Sequence, residues 1–284
     1  MRILPGFGRP DLAFREWEGH GPAWLFLHGL ARSGADWAAF SQAMGTPWRR
    51  MAPDMRGHGA SGRGQSYRVA DYCADIEAAL PLLSAQPVVL MGHSLGALVG
   101  MAVAARHPDR VAGLILEDPP TPGYMAGLGN TGYAQMFEAY ARLAESGLSI
   151  PEMARHLTLL PVRDPLGKVR PLGEMRDGAS IRFMAACLAR LDSAAPLAAL
   201  GGAAWLDGLD IPSLLADIRC PVLLLRGDDR FGGMMPLEET NELYARVRDL
   251  TRLDMTGVGH QIHGMAQEPA VRAVTAFVHS LGIG

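Results

Sequence analysis

A serine lies between two glycines in the run Gly92–Gly96, which reads GHSLG. The apolar run before it, Pro87–Met91, is typical of a buried strand, and Leu95–Arg106 after it is a helical pattern of small residues. A serine on so sharp a strand-to-helix turn exposes its hydroxyl above the sheet and leaves no room for side chains two residues away. The helix N-terminus favours negative charge that develops nearby. The pattern predicts Ser94 as a nucleophile.

A serine hydroxyl is a poor nucleophile unless a base, itself oriented by a carboxylate, takes its proton. His260 ends the run Gly257–His260 (GVGH), in a loop that we place after the last strand and before the final helix. Glycines beside a histidine in such a loop suit a side chain that is delivered into a site. We expect His260 to be the general base, and His263 to be a pocket or hydrogen-bonding residue.

Short apolar runs alternate with longer helical patterns along the chain, which predicts βαβ units and a mostly parallel sheet. The predicted strands are Ala23–His28, Arg50–Asp54, Pro87–Met91, Val111–Glu117, Pro221–Arg226 and Leu250–Met255. The predicted helices around them are Asp36–Met44, Tyr67–Leu83, Leu95–Arg106 and Ala266–Leu281.

The pattern changes between Thr121 and about Asp210, where only helical patterns and no convincing strands occur. Those helical patterns are Tyr133–Ala144, Ile150–Leu159 and Ser180–Arg190. We therefore expect a core domain of residues 1–120 and 211–284, with a helical cap inserted over residues 121–210. The apolar cap residues expected to roof the site are Met125, Tyr133, Met136, Phe137 and Met184.

Taken together, these motifs resemble the α/β-hydrolase superfamily over nearly the whole chain. His28-Gly29-Leu30 is similar to the oxyanion loop of that family, and Asp54–Ser61 (DMRGHGAS) is similar to its DxRGHGxS turn. The resemblance implies an α/β-hydrolase fold, a mostly parallel central sheet flanked by helices. It also implies an oxyanion hole made by the backbone N–H groups of Leu30 and Leu95. His28 and His58 are expected to hold loops in place.

The acid of the triad departs from the family pattern. The family usually places an aspartate three residues after the glycine that closes the strand Pro221–Arg226, and that position is Arg230 here. Asp228 follows the strand from which this fold most often draws its acid, and it is our first candidate. A second arrangement in the superfamily takes the acid from the end of the strand after the nucleophile helix, which makes Glu117 the second candidate.

Two further carboxylates stay open for this role, Asp229 and Asp118. A carboxylate at a buried strand end is costly without a partner, so Glu117 is expected to have a specific role even if it is not the acid.

A serine nucleophile indicates an acyl-enzyme, and hence hydrolysis of an ester, thioester, lactone, amide or C–C bond. Haloalkane dehalogenases and epoxide hydrolases of this fold use an aspartate at that position. We expect a small, mostly apolar ester or lactone as substrate. The alternatives are a C–C bond or amide hydrolase of the same fold, or a receptor-like protein that senses a ligand with slow turnover.

Composition sets the remaining expectations. The formal charge of −3 shows no basic bias, which argues against nucleic acid or an anionic membrane surface as partner. No run approaches the roughly 18 apolar residues of a membrane span. Cys73, Cys187 and Cys220 lie far apart, as expected for reduced thiols in a core. We expect a cytoplasmic enzyme of small molecules that needs no metal or organic cofactor.

Overall fold

The structure is a computed structural model and describes residues 1–6, 8–45, 48–163 and 167–283. Eight strands form one sheet in the order β1-β2-β4-β3-β5-β6-β9-β10. These strands are β1 Arg2–Leu4, β2 Leu12–Trp17, β3 Ala23–Leu27, β4 Arg50–Asp54, β5 Val88–His93, β6 Val111–Glu117, β9 Val222–Gly227 and β10 Leu250–Met255. β1, β2 and β4 pair antiparallel, and from β4 to β10 all neighbours are parallel.

Helices pack on both faces of this sheet, which is why β3, β5 and β9 are buried along their whole length. The helices of the core are α1 Ala38–Ala43, α2 Val69–Leu83, α3 Leu95–Arg106, α9 Ile211–Asp217, α10 Leu237–Tyr244, α11 Ile262–Met265 and α12 Gln267–Ser280. A short 3₁₀ helix, Gly34–Trp37, precedes α1. Two apolar clusters result, one on each face of the sheet.

The described residues between β6 and β9 contribute no strand to the large sheet. Its helices are α4 Pro122–Ala126, α5 Gly132–Glu145, α6 Ile150–Leu159, α7 Gly178–Leu188 and α8 Ala194–Ala199. The expectation that this segment lacks strands is wrong, since β7 Pro161–Arg163 and β8 Val169–Pro171 form a small antiparallel hairpin. Both strands are only three residues long and partly exposed, so they carry no apolar alternation.

Every strand predicted in the parallel part of the sheet is present: three have the predicted bounds, and the ends of the other three differ by one or two residues at most. β1 and β2 were not predicted. β2 has three buried residues followed by exposed ones rather than a continuous apolar run. All three cysteines are free and buried. Among the described residues, no helix has the length and apolar character to cross a membrane.

Candidate active site

Ser94 lies on a strained turn between β5 and α3, with φ of 54° and ψ of −116°. Its backbone N–H donates to the carbonyl of Glu117 on β6 at 2.9 Å. A Cβ on Gly92 would lie 2.2 Å from the carbonyl oxygen of Gly96, and one on Gly96 would lie 2.1 Å from that of Leu27. These contacts confirm the steric reason for both glycines.

Asp118 is the carboxylate beside His260. Its Oδ2 lies 2.7 Å from Nδ1 of His260, and its side chain is fully buried while that of His260 is 12% exposed. A carboxylate only accepts, so Nδ1 carries the proton and donates it. In the described part of the chain, the other ring nitrogen, Nε2, has no carboxylate partner. His260 and Ser94 line the same cavity.

The backbone holds Asp118 in place from both sides. Oδ1 accepts the N–H of Gly227 at 2.8 Å, and Oδ2 accepts the N–H of Met234 at 2.8 Å. Asp118 itself has a positive φ of 44°, a conformation that non-glycine residues rarely adopt. The only other described non-glycine residues with positive φ are Ala31 and Ser94. Among the described residues, positive φ at non-glycine positions is thus confined to the ends of β5 and β6 and the loop after β3, as is common at functional sites.

The prediction that Asp228 orients His260 is wrong. The second prediction, that Glu117 does so, is wrong too. The carboxylate of Asp228 instead accepts from the guanidinium of Arg230 at 3.0 and 2.9 Å and from the N–H of Gly257 at 3.0 Å. These donors lower the pKa of Asp228, and the Arg230 side chain has the largest effect. Arg230, which stands where the family usually has the acid, therefore binds the carboxylate of Asp228, our first candidate.

Asp229 is also occupied elsewhere, because its carboxylate accepts from Arg226 at 2.9 Å. Glu117 faces His263, whose Nδ1 lies 2.8 and 2.9 Å from the two carboxylate oxygens. The backbone N–H of His263 donates to the same carboxylate at 3.0 Å. Glu117 thus has the partner that its burial demands, and His263 is a hydrogen-bonding residue as expected.

A buried network continues beyond His263. Its Nε2 lies 3.3 Å from Oδ2 of Asp36, and Asp36 accepts both Nε and Nη2 of Arg32. Burial alone would lower the pKa of His263, but the charges of Glu117 and Asp36 raise it to about 10. His263 is therefore protonated at neutral pH. This network links the end of β6 to the loop that follows β3.

His93, next to the nucleophile, packs against His260 with ring centroids 4.6 Å apart. Its Nε2 donates to the backbone carbonyl of His260 at 3.0 Å. Burial first, and then the charges of His260 and His263, hold the pKa of His93 well below 6.5. Sequence reasoning missed this residue. It occupies the variable position before the serine, and its contact with the histidine loop depends on tertiary packing.

The loop after β3 approaches the nucleophile closely. A Cβ on Gly29 would lie 2.6 Å from Nδ1 of His93 and 3.4 Å from Cβ of Ser94. Leu95 begins α3, so its N–H has no intrahelical partner. In the described part of the chain, the N–H of Leu30 is not paired with a backbone carbonyl either. Neither N–H group expected in the oxyanion hole is thus committed to a backbone carbonyl among the described residues, and Leu30 lines the same cavity as Ser94.

The loop histidines are tied to the backbone. His28 Nε2 accepts the N–H of Met55 at 2.9 Å, and His58 Nε2 accepts the N–H of Ala31 at 3.1 Å. Burial, together with the charge of His28, lowers the pKa of His58 to about 3, so this ring stays neutral. Both contacts agree with a loop-holding role.

A cavity of about 440 Å³ lies over Ser94 and His260. The segment between β6 and β9 supplies much of its wall, including four of the five predicted roof residues: Tyr133, Met136, Phe137 and Met184. Met125 is instead packed in the main apolar cluster, 2% exposed. Residues of the loops after β3 and β9 complete the wall, among them Leu30, Arg32, Phe231 and Met234.

Comparison with known proteins agrees with this architecture. The model of the alpha/beta hydrolase fold family matches residues 22–263. The chain belongs to the α/β-hydrolase family. It is 28% identical over 285 residues to the 2-(acetamidomethylene)succinate hydrolase of Mesorhizobium japonicum, covering 95% of this chain and 92% of that protein.

Two solved structures illustrate how far the fold is shared. A crystal structure of E-2-(acetamidomethylene)succinate hydrolase superposes with a TM-score of 0.75 at 24% identity, covering 98% of each chain. The enol-lactonase from Burkholderia xenovorans LB400 superposes with a TM-score of 0.74 at 18% identity, covering 98% of this chain and all of that one. At these identities the structural likeness establishes the fold alone.

Proposed function

We propose that the protein hydrolyses a small ester or lactone through an acyl-enzyme on Ser94, with His260 as base and Asp118 as acid. The observation that carries the proposal is the 2.7 Å contact between Asp118 and Nδ1 of His260. It fixes the tautomer whose Nε2 can take a proton from the serine hydroxyl. The segment that roofs the cavity would act as a cap over the reaction.

The proposed reaction follows from this geometry. Ser94 Oγ attacks the substrate carbonyl while Nε2 of His260 takes the hydroxyl proton, and Asp118 stabilises the resulting imidazolium. The N–H groups of Leu30 and Leu95 donate to the oxyanion of the tetrahedral intermediate. When that intermediate collapses, the imidazolium gives its proton to the leaving oxygen. Water then releases the acid from Ser94 by the same steps in reverse, with His260 again as base.

Amide hydrolysis is a second candidate because the relative from Mesorhizobium japonicum, matched along 95% of this chain, is named for an acetamido compound. The same triad serves both reactions, and the difference lies in the leaving group, which is a poorer one in an amide. A panel that pairs each ester with the matching amide therefore separates the two activities.

The test is multiple turnover on short acyl esters, lactones and their matching amides, with Ser94→Ala as control. The wild type should turn over many equivalents of at least one ester or lactone. Ser94→Ala should lose roughly 10⁴-fold or more in kcat with an unchanged circular dichroism spectrum. Full activity of Ser94→Ala would refute the serine mechanism. A single equivalent of product from the wild type would instead indicate a ligand sensor.

A further inference from the structure

The charged residues that line the cavity are nearly all cationic. Among the described lining residues, arginines outnumber carboxylates four to one: they are Arg32, Arg163, Arg176 and Arg230, with Asp229 as the carboxylate. The rest of the wall is mainly apolar and aromatic. A mostly apolar ester or lactone gives these guanidinium groups nothing to bind.

Two of the four arginines already have carboxylate partners outside the lining. Arg230 pairs with Asp228 and is 74% exposed. Arg32 pairs with Asp36, but it does so through Nε and Nη2, so that Nη1 takes no part in the ion pair.

The third arginine, Arg163, is exposed and donates to the backbone carbonyl of Gly167 at 2.8 Å. Arg176 is the fourth. It follows a 3₁₀ turn, Leu172–Glu174, in the segment over the site, and it is half-buried. In the described part of the chain, its guanidinium contacts Sδ of Met265 at 3.6 Å and forms no ion pair with a carboxylate. Among the described lining residues, Arg176 is therefore a half-buried arginine whose guanidinium has no carboxylate partner and can bind an anion in the cavity.

Tyr140 lines the same cavity as Arg32 and Arg176. Burial raises the pKa of the Tyr140 phenol to about 12, so the phenol is protonated at neutral pH and can donate a hydrogen bond. The cavity wall thus holds two guanidinium groups and one hydroxyl donor.

We propose that the substrate carries a carboxylate, bound by Arg176, Arg32 and the hydroxyl of Tyr140 in the cavity beside Ser94. The inference deepens the proposed function and rests on it for the reaction, though the anion site can be tested by binding alone. Because Asp36 already balances Arg32, the site offers about one uncompensated positive charge. A monoanionic carboxylate matches that charge, and the planar guanidinium fork matches its two oxygens.

The kinetic test compares mono-4-nitrophenyl adipate with its methyl ester, which differ in one negative charge. For the wild type, kcat/KM should favour the acid. Arg176→Gln should lower this preference roughly 10- to 100-fold, the range expected for losing a hydrogen bond to a charged group. The loss on the methyl ester, which has no carboxylate for Arg176 to bind, should be smaller than the loss on the acid. Arg176→Lys should keep part of the preference, because the charge remains while the fork is lost.

Arg182→Gln is the matched control, since Arg182 lies exposed on α7 and outside the cavity lining. It should leave the preference unchanged. Equal losses on both substrates in Arg176→Gln would show that Arg176 only supports the fold of this segment, and would overturn the proposal. A wild type that prefers the methyl ester would overturn it too.

A binding measurement separates this inference from the proposed reaction. Calorimetry should detect binding of monomethyl adipate, a monoanion, to Ser94→Ala, with a roughly 10- to 100-fold weaker Kd in Ser94→Ala/Arg176→Gln. If Ser94→Ala binds monomethyl adipate but the wild type turns over no substrate, the anion site is retained and the reaction is rejected. Tighter binding of inorganic phosphate than of monomethyl adipate would contradict the carboxylate assignment. Turnover of neutral esters, with no binding of monomethyl adipate, would reject the anion site alone.

Discussion

His260 and His263 lie three residues apart, and each pairs with one of two consecutive carboxylates at the end of β6. Their surroundings differ sharply. His260 reaches the cavity, is 12% exposed, and has a single carboxylate partner, Asp118. His263 is 2% exposed and lies between the carboxylates of Glu117 and Asp36.

The difference separates a group that can exchange a proton from one that holds its proton. With carboxylates at both ring nitrogens, the imidazolium of His263 is stabilised, so it is a poor base at neutral pH. His260 keeps one nitrogen free of a carboxylate and open to the cavity. In the proposed mechanism, the same pairing of histidine and carboxylate thus serves catalysis in one place and structure in the other.

The largest effect in this comparison is expected for Asp118→Asn. It should lower kcat on the order of 10⁴-fold with a much smaller change in KM, because the amide no longer fixes the tautomer or stabilises the imidazolium. Asp228→Asn is the matched control, since that carboxylate binds Arg230 rather than a histidine. The kcat of Asp228→Asn should fall by about 10-fold or less, which is the scale of losing a neutral hydrogen bond. The reverse order of effects would contradict the assignment of Asp118.

A smaller effect on activity and a larger one on stability are expected for His263→Gln. Removing the imidazolium leaves two buried carboxylates without their shared partner, which should cost about 3 to 5 kcal/mol of unfolding free energy at neutral pH. The pKa of His263 is raised in the folded state from 6.5 to about 10. The stabilisation is therefore fully present below pH 6.5 and is lost as the pH rises through about 10.

Denaturant unfolding of the wild type and His263→Gln between pH 6 and pH 10.5 measures this difference. The difference in unfolding free energy between the wild type and His263→Gln should become smaller as the pH rises. His279→Gln is the control, because His279 is exposed on α12. A gap that is independent of pH would show that His263 is neutral in the folded protein.

The sequence allowed prediction of the parallel sheet, and it singled out the serine and the histidine that the structure brings to one cavity, because each rests on local patterns. Ser94 and His260 stand beside glycines, and the central strands are continuous apolar runs. The acid could not be ranked correctly, since Glu117 and Asp118 are adjacent. Which of them turns to His260 depends on a φ of 44° at Asp118, and on backbone donors from a loop more than 100 residues away.

The arginines of the cavity show the same limit. Arg32 and Arg176 are 144 positions apart in the chain, and no local pattern relates them. Their relation to Tyr140 appears only once the segment between β6 and β9 is folded over the sheet.

The most direct test of the central claim is where a covalent adduct forms. The wild type, treated with a fluorophosphonate and digested, should carry one phosphonyl group, on the peptide that contains Ser94. Asp118→Asn should be labelled far more slowly, and Ser94→Ala should not be labelled at that peptide. An adduct on a different residue of the wild type, or labelling of Asp118→Asn at the wild-type rate, would contradict the triad of Ser94, His260 and Asp118.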